Sequence, residues 1–73
     1  MEPVTFDRFI TELHEAPSWD LEMSENGLVL IVNKEGIVTR YHSPNPKDSN
    51  GIEWEKFLRR IGEVLEKKEV TSR

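Results

Sequence analysis

The chain has 73 residues, a formal net charge of −4 and no cysteine, with charged residues at 33% and hydrophobic ones at 36%. That length holds one domain with a thin core. The composition excludes a membrane-embedded protein, and the missing thiols exclude disulfides, thiolate metal sites and a cysteine nucleophile. A small secreted domain would normally need disulfide staples, so a reducing, cytoplasmic setting is expected. The charge is unevenly placed: residues 1–35 carry eight acids against two bases, and residues 36–73 carry six against eight. This acidic balance gives no general attraction to nucleic acid.

The opening Met-Glu-Pro-Val-Thr has no basic region followed by an apolar one, so no signal peptide is expected. Phe6, Phe9, Ile10 and Leu13 fall at i, i+3, i+4 and i+7 and predict an amphipathic helix over about Thr5–Glu15. Thr5 is placed to cap it and Pro17 to stop it. Trp19, Leu21 and Met23 alternate with Asp20 and Glu22, the period of a half-buried strand. Ser24-Glu25-Asn26-Gly27 predicts a hairpin turn into a β-branched second strand at Leu28–Val32. That five-residue run is the longest apolar stretch, far short of the ~20 residues of a membrane helix. Lys34-Glu35-Gly36 predicts a second, three-residue hairpin loop, and Ile37–His42 the third strand.

Ser43–Gly51 is a loop by composition, with no hydrophobic side chain to anchor it. Asn50 and Glu53 then have capping-box spacing at the start of a second helix. Trp54, Phe57, Leu58, Ile61 and Leu65 mark its apolar face, with Val64 beside them. Gly62 interrupts this helix, which predicts a close neighbour there. The fold expected is α+β in the order α-β-β-β-α: a three-stranded antiparallel meander with two helices packed on one face. Residues 1–73 form a single domain, with an ordered core at about 4–68, a flexible loop at 43–51 and a frayed tail at 69–73.

Three-residue hairpin loops would put Trp19, Leu21, Met23, Val29, Ile31, Ile37, Thr39 and Tyr41 on the core face. The open face would then carry Leu28, Leu30, Val32 and Val38, rimmed by Asp20, Glu22, Arg40 and His42. A shorter first loop exchanges these partners, and either register leaves several aliphatics away from the helices. An apolar patch of that kind marks a contact surface unless the tail or a helix covers it. A second candidate surface is an acidic edge of Asp7, Glu12, Glu15, Asp20, Glu22 and Glu25, formed if the first helix lies beside the first hairpin.

No catalytic, metal or cofactor site is expected. His14 and His42 lie in different elements and lack ligand spacing. The bases of the second helix are interleaved with acids, the pattern of a solvated face. The element order resembles the double-stranded RNA-binding fold and the small toxin ribonucleases that share it. Ile52, Glu53, Trp54 and Glu55 stand where the RNA-binding family has a lysine cluster, and the toxins' glycine-serine-histidine run is absent. The sequence therefore predicts a small acidic, non-enzymatic protein-interaction module, a regulatory or inhibitory factor. It is expected to be a homodimer, to bind a protein through the open sheet face or the acidic edge, and to avoid membranes and nucleic acid. A nucleic-acid-associated protein of double-stranded-RNA-binding-like topology, with or without ribonuclease activity, is the alternative.

Overall fold

The computed structural model describes residues 3–71, with side chains through Lys68. The elements are helix α1 (Phe6–Glu15), strands β1 (Trp19–Ser24), β2 (Gly27–Lys34) and β3 (Ile37–His42), a 3-10 turn (Pro46–Asp48) and helix α2 (Gly51–Thr71). The sheet order is β1-β2-β3, antiparallel throughout. The α-β-β-β-α meander read from the sequence is thus the fold. Among the described residues no helix is long and apolar enough to cross a membrane.

The helix ends follow the sequence signals. Thr5 Oγ1 accepts the Arg8 backbone N–H at 3.1 Å, and the Ala16 N–H closes the last turn of α1 on the Glu12 carbonyl at 3.0 Å. Asn50 Oδ1 accepts the Glu53 N–H at 2.8 Å, which satisfies an orphan donor at the start of α2. α1 buries Phe9, Ile10 and Leu13; α2 buries Phe57, Ile61 and Val64, with Trp54 and Leu65 half-buried. Leu58, expected on this stripe, is 39% exposed. One residue on from Phe57 turns about 100° round the helix, and Val64 takes the core side instead. Gly62 also departs from expectation: a Cβ there would meet nothing within 4 Å.

The helices lie side by side and run in the same direction. Phe6 near the start of α1 packs against Phe57 in a tilted geometry at 4.7 Å between ring centroids, and Phe9 meets Phe57 edge-on at 5.2 Å. At the other end, Lys68 Nζ donates to the Ala16 carbonyl at 2.7 Å, just beyond α1. A cation there suits the negative end of the helix dipole. The same ammonium lies 5.9 Å from the Trp19 ring centroid.

The sheet corrects the expected faces. Both hairpins close with two-residue loops, pairing Ser24 with Gly27 and Lys34 with Ile37. The second is a type I′ turn with Glu35 at φ 54° and Gly36 at φ 85°, and Asn33 Oδ1 accepts the Gly36 N–H at 3.2 Å. Each loop is one residue shorter than expected, so β2 is shifted by one residue against both neighbours and its side chains change sides. Leu28, Leu30 and Val32 are therefore buried under the helices with Phe9, Leu13, Phe57 and Ile61, and do not belong to the open face. Val29 and Ile31, expected in the core, point the other way.

The segment after β3 is anchored by polar groups rather than by apolar burial. Ser43 is fully buried: its Oγ accepts the Leu28 N–H at 2.9 Å and donates to the Pro44 carbonyl at 3.1 Å. Asn45 Nδ2 donates to Asn26 Oδ1 at 3.3 Å, tying the segment to the first hairpin. Lys47, Asp48 and Asn50 stay exposed. Gly27 lies beneath this segment at φ 123°. Of the expected frayed tail, 69–73, residues 69–71 continue α2 as helix to Thr71, and 72–73 lie outside the described residues.

Candidate functional site: the open sheet face

Strand alternation sends Asp20 and Glu22 of β1, Val29, Ile31 and Asn33 of β2, and Val38, Arg40 and His42 of β3 to the face away from the helices. The register arranges them in rows across the sheet. Glu22, Val29 and His42 form one row, Asp20, Ile31 and Arg40 the next, and Asn33 and Val38 the last. An acidic column thus runs along β1, a column with Arg40 and His42 along β3, and an apolar spine lies between them. Val29 and Ile31 are half-buried within the sheet surface, Val38 is 49% exposed, and Asp20, Glu22 and Arg40 are exposed. Of the residues expected on this surface, Glu22, Arg40 and Val38 are present, while Leu28, Leu30 and Val32 are replaced by Val29 and Ile31.

The opposed charges of this face form no ion pairs among the described residues. Arg40 and Glu22 make no ion pair with a described residue; the pairs present are Arg8–Glu12 at 3.3 Å and Arg60–Asp7 at 2.6 Å, both on the helix side. His42 Nδ1 donates to the Ser43 carbonyl at 2.7 Å, which leaves Nε2 as its remaining polar atom.

The sheet edges are partly blunted. The Asn33 N–H donates to the Ser18 carbonyl, so the backbone of Asp20 and Glu22 faces β2 and the Leu21 N–H points to the outer edge of β1. Asp20 Oδ1 covers that N–H at 2.9 Å. On the other edge the Val4 N–H donates to the His42 carbonyl at 2.8 Å, and Pro3 bridges His42 in parallel. Such devices discourage strand addition.

The expected acidic edge does not form. α1 lies on the core side of the sheet, whereas Asp20 and Glu22 alternate with core-facing Trp19 and Leu21 and occupy the opposite side. Asp7 is paired with Arg60, and Glu12 sits between Arg8 and Tyr41. Glu15 is exposed on α1 and Glu25 at the hairpin tip. The Tyr41 phenol hydrogen-bonds the Glu12 carboxylate; that bond, burial and the carboxylate charge raise its pKa above the usual 10.0, with Arg8 opposing.

A shallow groove of about 330 Å³ separates the start of α1 from α2, where Asp7 and Glu53 offset Lys56 and Arg60 and the groove is open to solvent. Among the described residues no three histidine, aspartate or glutamate side chains converge into a metal-holding group. Comparison of the chain with protein-family models, with characterised proteins and with solved structures finds no match.

Proposed function

We propose that this chain is a small non-enzymatic interaction module, a regulatory or inhibitory factor of the cytoplasm that binds a protein partner through its open sheet face. The observation that carries this reading is the apolar spine of Val29 and Ile31, joined by Val38 on β3, between the Asp20 and Glu22 column and Arg40, three charges with no ion-pair partner among the described residues. A solvated sheet face alternates to polar residues, whereas here the central strand presents aliphatics. Apolar centres with charged rims are the usual anatomy of contact surfaces.

The test is capture of a partner from an extract of the native host, with parent and variants compared. Ile31→Arg leaves the core residues intact and is expected to abolish specific capture, while Leu58→Arg on the outside of α2 leaves it unchanged. Equal capture by the parent and Ile31→Arg contradicts the assignment. A mobility shift on RNA or DNA that disappears on reversing Lys56 and Arg60 would replace it with the nucleic-acid reading.

A further inference from the structure

The open face is self-complementary, and we infer that its partner is a second copy of this chain, seated face to face about a two-fold axis parallel to β2. This rests on the assignment of the open face as the binding surface and names the occupant of that surface. An axis lying between two such faces and parallel to the strands exchanges left and right but keeps each row at its own height. β1 of one copy then lies over β3 of the other, and β2 lies over β2.

Row by row, an acid of β1 meets a basic or hydrogen-bonding side chain of β3, with an apolar residue between them. Asp20 faces Arg40 of the partner subunit across the central row, with Ile31 at the middle. Glu22 faces His42 of the partner subunit in the adjoining row, with Val29 at the middle. The alternative two-fold, perpendicular to the strands, sets acids on acids and bases on bases, and like charges in register oppose that docking. Stacked sheets cross at about 30°, so the central row, which holds both Asp20 and Arg40, keeps the closest register. The covered edges at Leu21 and His42 disfavour strand addition and leave the face as the route to association.

The size of the face sets the strength. Six-residue strands span about 20 Å, and three of them cover about 14 Å across. The projected area is about 300 Å² per copy, against about 800 Å² per partner in a standard stable interface. The dimer is therefore reversible and depends on its charge pairs.

Sedimentation of the full chain across a concentration series tests this directly. The parent should pass from monomer to dimer with rising concentration, and added salt should weaken the association several-fold. Asp20→Arg and Arg40→Asp should each sediment as monomers with unchanged helical circular dichroism. The double variant Asp20→Arg with Arg40→Asp should regain the dimer, because each row is complementary again. A parent that stays monomeric at millimolar concentration overturns the second-copy inference and leaves the face to a different protein. A parent dimer that the double variant fails to restore overturns this two-fold arrangement. Host-protein capture that ignores Ile31→Arg is the separate result that removes the face itself.

Discussion

Replacing Gly27 with alanine tests the register that decides which side of β2 is buried. An added Cβ would lie 2.6 Å from Ser43 Oγ and 3.0 Å from the Pro44 carbonyl oxygen, and the backbone there has φ 123°. The φ value alone costs about 1–3 kcal/mol for a residue with a side chain. Ser43 Oγ is the buried acceptor for the Leu28 N–H, so pushing it aside strands a donor at a further cost of about 1–3 kcal/mol. The expected loss is about 2–6 kcal/mol, a large part of the stability of a domain this size. Urea unfolding followed by tryptophan fluorescence measures it as a drop in midpoint. Ser43→Ala should cost about 1–3 kcal/mol through the same donor. The two substitutions should be less than additive together, because removing the hydroxyl relieves the nearer clash. A Gly27→Ala midpoint within error of the parent refutes both the positive φ and the buried serine.

Gly62→Ala should act in the opposite direction and stabilise by about 1 kcal/mol, since the helix gains a better former and the new methyl meets open space; a destabilised variant would mean that something packs there. Phe57→Ala should cost about 3–5 kcal/mol, because its ring is in contact with Phe6, Phe9 and Trp54, and an unchanged melting temperature contradicts the aromatic core. The phenol of Tyr41, the chain's single tyrosine, should titrate above 10.0, and Glu12→Gln should bring that titration down. Because the folded-state pKa is raised, the contribution to stability is complete below about pH 10 and is lost as pH rises through the folded value. Phenolate absorbance follows the titration, and indifference to Glu12→Gln contradicts the Tyr41–Glu12 bond.

Most of the architecture was legible because local chemistry and burial agree. Thr5, Asn50 and Pro17 mark helix ends by their own hydrogen-bonding and steric properties, and the apolar spacing of Phe6–Leu13 has one reading. The side that β2 buries was not legible in the same way. Leu28–Val32 is apolar at every position, so alternation carries no information there, and loop length alone sets the parity. Glu35 adopts a positive φ that glutamate disfavours, which hid the two-residue turn behind a three-residue one. The relative bulk of the two sets was the available signal: leucines at 28 and 30 with Val32, against Val29 and Ile31. The anchoring of the segment from Ser43 was not legible, because composition signals only the burial of apolar side chains. A serine hydroxyl bonded to a strand's backbone does that work here. The candidate surface survived in its charged rim, since β1 and β3 kept their faces, and changed at its apolar centre.

The most direct measurement is of intermolecular nuclear Overhauser effects in a mixture of isotope-labelled and unlabelled full-length protein at high concentration. Face-to-face pairing of two copies predicts contacts between the methyl groups of Ile31 and Val29 and the same residues of the second copy. It also predicts contacts joining the Arg40 side chain to the Asp20 methylene protons across the interface. Intermolecular contacts that arise instead from Leu58 and its neighbours on α2, or no intermolecular contact at all, contradict it.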